Sequence, residues 1–402
     1  MPLTAGTAIA DLTPPPGEII ACFPDRSGDQ MRPRVAEGTH DRLEARVLAL
    51  SDGQQHLSLC GLDLPGIRHR ETSRIRERVA EARPDIAGPG IVLACSHTHS
   101  GPDTLYLFGG SPDDPWVDEM VEAVADAIIR AHDALSPVTL SVARAPLALN
   151  HNRRAVGVDG RMRMIKEYEA GVDESPVDPD VTVLRADNET GEPIAIAFHY
   201  TAHALTLGAG NLCFSADYPG VARSVVDASL STATSVFLNG AAGNVHPRMC
   251  MRSGREATEA IGTELGRAVV MLSKEAQPVT EPALGASSRT LTFANRMDPS
   301  LQVPVEVSCL RIGPLLVGVV PGEYFVEFQL RFRDRVDAEL ATLIGYANGW
   351  PGYIPTREAY AEGGYGVEAY PEDPSDLSRT CLPRGAGEKI LNALVALAGE
   401  LS

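Results

Sequence analysis

Histidines gather at three points of this 402-residue chain, each directly after an apolar run. In Ile91-Val92-Leu93-Ala94-Cys95-Ser96-His97-Thr98-His99, a buried strand ends and presents His97 and His99 two residues apart, on one face if the strand continues. In Ala195-Ile196-Ala197-Phe198-His199-Tyr200-Thr201-Ala202-His203, two histidines stand four residues apart and share a side in a strand or a helix. In Val236-Phe237-Leu238-Asn239-Gly240-Ala241-Ala242-Gly243-Asn244-Val245-His246-Pro247-Arg248, a strand enters a Gly/Ala-rich turn that permits close backbone approach, then reaches His246 and Arg248. A carboxylate joins them where Val317-Gly318-Val319-Val320 breaks at Pro321-Gly322 and Glu323 opens a helix. Imidazole nitrogen and carboxylate oxygen are the ligands that borderline metals such as zinc take, and a catalytic site keeps one position open for water. Two of these histidines with Glu323 make such a site, in which the metal would bring the pKa of water toward about 7 and polarise a carbonyl. By contrast His40, His56, His69 and His132 have no comparable setting and read as surface or core residues.

The elements that must position these groups alternate along the chain. Apolar or alternating runs predict strands near 5–11, 43–50, 56–63, 91–95, 138–144, 180–186, 193–199, 234–239, 285–294, 304–311, 314–320 and 340–346. Helical patterns fall near 67–83, 116–134, 217–230, 255–275, 323–336 and 385–400, the second showing its 3.6-residue period in Val117, Met120, Val121, Val124, Ala127 and Ile128. Strands followed by helices imply an α/β, or mixed α+β, layered architecture. No linker or internal repeat divides the chain, so 1–402 reads as one large domain. Segment 346–383 lacks a period but holds Tyr346, Tyr353, Tyr360, Tyr365 and Tyr370, half of the ten tyrosines. Disordered segments are poor in aromatics, so it reads as an ordered active-site loop.

Composition removes several function classes. The formal charge of −18 argues against nucleic acid and against an anionic membrane surface. No apolar run is long enough for a membrane span. Lysine occurs only at 166, 274 and 389, none in a P-loop context, and neither GxGxxG after a strand nor a GxSxG elbow is present. The start of the chain has no basic and apolar leader, and the seven cysteines are scattered, so a cytoplasmic protein with free thiols is expected. Asp63 ends an apolar strand and reads as a carboxylate capping backbone donors.

Read in order, the motifs resemble one family. Ser96-His97-Thr98-His99-Ser100-Gly101-Pro102 resembles the HTHSGP motif of the neutral (non-lysosomal) ceramidases. Gly6 to Thr13 resembles their opening strand, and Gly38-Thr39-His40-Asp41-Arg42-Leu43-Glu44-Ala45-Arg46 their GIHxRLxxR segment. Ala202-His203 with Ser215-Ala216-Asp217, then Val320-Pro321-Gly322-Glu323, then Tyr346-Ala347-Asn348 through Tyr353 to Glu358, are similar to later motifs of the same family. The resemblance spans essentially the whole chain, without the family's C-terminal immunoglobulin-like domain.

The resemblance implies one zinc per chain, held by His97, His203, Glu323 and Tyr353, with His99 beside the metal as acid/base or oxyanion group. It further implies that Arg153, in Asn152-Arg153, lines the site and that Tyr365 steadies the oxyanion. The sequence departs where the family carries a serine implicated in catalysis: His246 stands there, a residue able to act as a base or an extra ligand. The function expected is zinc-dependent hydrolysis of an amide (N-acyl) bond in a small soluble substrate. An ester or lactone hydrolase with the same site, or a metal-binding homologue without catalysis, remains the alternative. Structural zinc is disfavoured, because no cysteine cluster exists.

Overall fold

The computed structural model describes residues 2–25, 32–86, 88–165, 168, 175–252, 254–368 and 380–401; Lys166, Tyr370 and the rest of 369–379 in the tyrosine-rich segment lie outside them. The described helices are α1 His69–Ala82, α2 Pro115–Asp133, α3 Asp217–Ser229, α4 Glu256–Glu275, α5 Val326–Arg335, α6 Ala359–Glu362 and α7 Ala386–Glu400. The architecture is mixed α/β, built on three main sheets. The first runs Ile91–Cys95, His56–Leu62, Glu44–Ser51, Thr4–Asp11 and Ser136–Pro137. The second runs Thr234–Asn239, Pro193–Tyr200, Asp180–Asp187, Thr139–Pro146 and Gln277–Pro278. The third runs Leu284–Ala294, Gln302–Ile312, Leu315–Val319 and Leu340–Ile344.

Successive side chains of a strand point to opposite faces, and here both faces are covered. Along Ile91–Cys95, Ile91, Leu93 and Cys95 join one buried cluster while Val92 and Ala94 join another. The first cluster receives the apolar stripe of α2, including Val117, Met120, Val121, Val124, Ala127 and Ile128. The other lies where the three sheets meet, with Leu57 and Leu59 of the first, Val236 and Leu238 of the second, and Leu310, Val317 and Ile344 of the third. A third cluster packs α5 and α7 through Phe328, Phe332, Leu391 and Leu394. Asp114 caps α2, its Oδ1 accepting from Trp116 N at 2.9 Å, a contact worth about 1 kcal/mol.

Each main sheet is otherwise antiparallel but contains one parallel pair: His56–Leu62 with Ile91–Cys95, Pro193–Tyr200 with Thr234–Asn239, and Leu315–Val319 with Leu340–Ile344. Parallel neighbours require a crossover, and α1, α3 and α5 respectively provide it. The carboxyl ends of such strands are where α/β sheets form their sites. His97 follows Ile91–Cys95, His203 follows Pro193–Tyr200, and Glu323 follows Leu315–Val319, so each motif leaves a sheet at the same kind of place.

Two elements depart from expectation. Glu323 does not open a helix: Glu323–Tyr324 is a short strand pairing in parallel with Tyr353–Ile354, and α5 starts at Val326. Gly322 makes the turn at φ +68°, and a Cβ there would stand 2.4 Å from the Gly352 carbonyl oxygen, so only glycine lets the two segments meet. A hairpin of Ile19–Asp25 and Arg32–Val35 also forms, where Pro24 and Pro33 had masked any strand pattern.

Two buried histidines outside the site give the fold an acid sensitivity. Burial, with His56 nearby, holds the His132 imidazole down to about 4, and burial with Arg333 holds His199 down to about 3. Both stay neutral in the native chain at pH 5 but protonate in the unfolded chain near 6.5. Stability is therefore present above pH 6.5 and lost as pH falls toward those values, by about 2 kcal/mol per histidine at pH 5. Urea unfolding at pH 7 and pH 5 checks this. His132→Asn should shrink the difference between the two pH values, and an unchanged difference would refute it.

Candidate metal centre

His97 lies at the strand end in a left-handed conformation, φ +62°. Such a backbone persists in a non-glycine residue only when its surroundings hold it. Its main-chain N donates to Leu64 O at 3.0 Å, its Nδ1–H donates to Pro65 O at 2.5 Å, and its ring stacks on Tyr346 at 4.4 Å. Trp350 stacks farther along, at 5.4 Å. His203 is likewise fixed from behind, Nδ1–H facing Ala242 O at 2.8 Å and Val245 O at 3.1 Å. A neutral imidazole carries one N–H, so both rings keep a bare Nε2.

Those two nitrogens point at one carboxylate oxygen. Glu323 Oε2 lies 3.1 Å from His203 Nε2 and 3.5 Å from His97 Nε2, and His99 Nε2 lies 3.3 Å from His97 Nε2. His203 Nε2 and Glu323 Oε2 are buried without a hydrogen-bond partner. Lone pairs facing one another at such distances repel unless a cation stands among them. Tetrahedral zinc with bonds of about 2.0–2.1 Å places its ligand atoms roughly 3.3 Å apart, which matches these separations. The ligand nitrogens of His97, His99 and His203 all fall within 4.8 Å of one another. The residues present thus fit zinc by donor type, by spacing and by their orphaned atoms.

Electrostatics agree with a site that expects a positive charge. Burial acts to raise the Glu323 carboxyl, and positive charge at the face shared with His97 and His203 acts to lower it, which is where a metal cation would stand. Burial and the Arg153 cation push His203 down to about 3, so its ring is neutral. Burial and the other histidines likewise push His99 well below its usual value.

Arg153 closes the other side. Its Nη1 donates to His246 Nε2 at 2.9 Å, and its Nη2 donates to Gly243 O at 2.5 Å and to the Tyr353 hydroxyl at 3.1 Å. The same Nη2 is 3.9 Å from Glu323 Oε2. Tyr353 donates onward to the Tyr365 hydroxyl at 3.3 Å, and the guanidinium lies 4.4 Å from the centre of the Tyr365 ring. Tyr353 reaches this position because its strand pairs with Glu323 itself.

All eight residues singled out in the sequence come to this region: His97, His99, His203 and Glu323 at its centre, with Arg153, His246, Tyr353 and Tyr365 around Arg153. His199 does not. Its Nε2 faces Leu343 O of the third sheet at 2.9 Å. Asp63 pairs with Arg223 at 2.7 and 2.5 Å and accepts from Glu44 N, a structural role. Sequence reading missed Phe23, which packs 5.2 Å from His99, and Arg34, whose Nη2 donates to Ala21 O at 2.6 Å and His99 O at 3.0 Å. Neither carries a local signal, because both arrive on the proline-bearing hairpin. Among the described residues no helix is long and apolar enough to cross a membrane.

With this geometry in place, known proteins are similar in both sequence and fold. Residues 4–263 match the family model described as neutral/alkaline non-lysosomal ceramidase, N-terminal. Neutral ceramidase A of Dictyostelium discoideum is 24% identical over 230 residues, 54% of this chain and 30% of that protein. The neutral ceramidase of Mycobacterium tuberculosis is 25% identical over 233 residues, 55% of this chain and 35% of that protein. The match therefore spans about a third of the length of these curated relatives. The crystal structure of neutral ceramidase from Pseudomonas aeruginosa superposes with a TM-score of 0.79 at 18% identity, covering 100% of this chain and 74% of that one. A ceramidase complexed with C2 gives a TM-score of 0.79 at 17% identity over 75% of its length.

Proposed function

The chain belongs to the neutral/alkaline non-lysosomal ceramidase family, and on that premise we propose that it is a zinc-dependent hydrolase of an N-acyl amide bond. The observation that carries this reading is the convergence of two bare imidazole nitrogens on the unpartnered oxygen of Glu323. His97, His203 and Glu323 would hold the ion, with Tyr353 as the fourth ligand. Bound there, zinc supplies a Lewis acid that acidifies water and polarises a carbonyl.

The chain's own groups divide the remaining work. His99 Nε2 sits beside the ligand nitrogens and is the group placed to take a proton and deliver it to the leaving amine. Arg153 and the Tyr365 hydroxyl present donors where the substrate carbonyl oxygen gains charge. His246 serves as a positioning residue rather than a proton carrier: its Nε2 accepts from Arg153, and its Nδ1 faces Cys250 Sγ at 3.7 Å. The burial of His99, Arg153 and His246 keeps bulk water from screening them. Ceramide, an N-acyl amino alcohol, sets the chemical class, and a small, soluble member of that class is the proposed substrate.

The test uses a short-chain N-acyl amino alcohol and its matched ester. The protein should release the amine from the amide. A zinc chelator should lower the rate at least about 10²-fold, and added zinc should restore it. Absence of amide turnover by zinc-replete protein, or turnover of the ester alone, would overturn the amide assignment.

A further inference from the structure

Arg153 and Arg154 are consecutive, both buried, and they straddle one residue. Arg153 lies against the Tyr365 ring, whereas Arg154 Nη1 donates to the Tyr365 carbonyl oxygen. Arg154 Nη2 donates to Gly363 O at 3.0 Å and pairs with Glu362 Oε2 at 3.1 Å. Its guanidinium carbon lies 5.4 Å from the centre of the Phe325 ring. Among the described residues, every hydrogen-bond partner of this side chain lies within 362–365. That stretch leaves the helix on turn bonds, from Gly363 N to Ala359 O and from Val367 N and Glu368 N to Gly364 O. α6 ends at Glu362, and Gly363, Gly364 and Gly366 follow at φ +68°, +73° and +85°. A chain of left-handed glycines has many alternatives open to it, and Arg154 supplies a charged donor to the carbonyl at 363 and to the one at 365.

We infer that Arg154 is a positioning residue for the reaction proposed above: by gripping the backbone at 363 and 365 and the side chain of Glu362, it sets the Tyr365 hydroxyl against Tyr353 and Arg153. The inference rests on the hydrolase reading for its catalytic consequence, but the grip itself does not. The neighbouring short strands Arg154–Val156 and Met162–Met164 form a hairpin, so Arg154 is anchored on paired backbone, whereas Gly363 and Tyr365 follow the end of α6. A fixed anchor on one side and a glycine-rich segment on the other is the arrangement in which one side chain decides where the segment rests.

The experiment compares wild type with Arg154→Gln and Arg154→Lys, each also in a Tyr365→Phe background. Hydrogen exchange is read first, by mass spectrometry of peptides covering 359–368. In Arg154→Gln it should quicken by about tenfold or more while peptides covering 91–95 keep their rates, and Arg154→Lys should recover part of the protection. Hydrolysis of the short-chain amide is read second. Arg154→Gln should lower kcat/KM roughly 10- to 100-fold, the cost of misplacing a group by about 1 Å. In the Tyr365→Phe background the same change should cost less than about threefold, because the hydroxyl that it misplaces is gone. Unchanged exchange at 359–368, faster exchange throughout the protein, or a full loss that persists without the Tyr365 hydroxyl would each overturn the inference. If wild type does not cleave the amide, the hydrolase reading fails, and the exchange data alone decide whether Arg154 holds the segment.

Discussion

His203→Ala should purify with only a trace of zinc, where wild type carries about one ion per chain, and should lose on the order of 10³-fold in amide hydrolysis. His203 is buried, and its ring is oriented by two carbonyl contacts from the turn after Thr234–Asn239. Alanine removes the nitrogen and leaves Glu323 Oε2 facing only His97 among the imidazoles, with Arg153 Nη2 at 3.9 Å. Glu323→Gln tests the same centre without altering its volume. The amide keeps the shape but loses the charge that two imidazoles now share, so zinc affinity should fall strongly with little change in fold. Elemental mass spectrometry of both proteins, beside turnover, makes the check. Zinc retained at the wild-type level in either variant, or zinc-dependent turnover unaffected by Glu323→Gln, would remove the metal centre from the mechanism.

Arg153→Lys should keep its zinc yet lose roughly 10²- to 10³-fold in kcat, the scale found for deleting an oxyanion donor. Lysine preserves the charge but not the planar fork. One ammonium cannot contact His246 Nε2, Gly243 O and the Tyr353 hydroxyl as the guanidinium does while lying against the Tyr365 ring. The separation of effects is the informative part. Loss of zinc would make Arg153 a support for the ligands. A kcat within about threefold of wild type would show that charge alone suffices and that the geometry around Tyr353 and Tyr365 is incidental.

Sequence and structure contributed differently to this picture. The twelve expected strands rest on apolar or alternating runs and the six expected helices on helical patterns, and each corresponds to an observed element within a few residues. The short pairings do not show such patterns. Glu323–Tyr324 with Tyr353–Ile354 and Asn150–Asn152 with Val245–Pro247 are two or three residues long, too short for a period to register. They nevertheless hold the site, since the first places Tyr353 beside Glu323 and the second sets His246 next to the Arg153 turn. The hairpin bearing Phe23 and Arg34 went unread because its prolines argue locally against a strand.

Residue type and order alone therefore determined the layered α/β class, the family resemblance and the set of groups able to bind a metal. A histidine or glutamate after an apolar run is recognisable from its immediate neighbours. Which of them meet was decided only by the tertiary structure. His99 joins the histidine cluster, His199 turns to the Leu343 carbonyl of the third sheet, and His246 spends its Nε2 on Arg153. The physical reason is range. Periodicity reports interactions a few residues apart, whereas residues 97, 203 and 323 meet because three parallel pairs from three sheets pack on one core and end at one place.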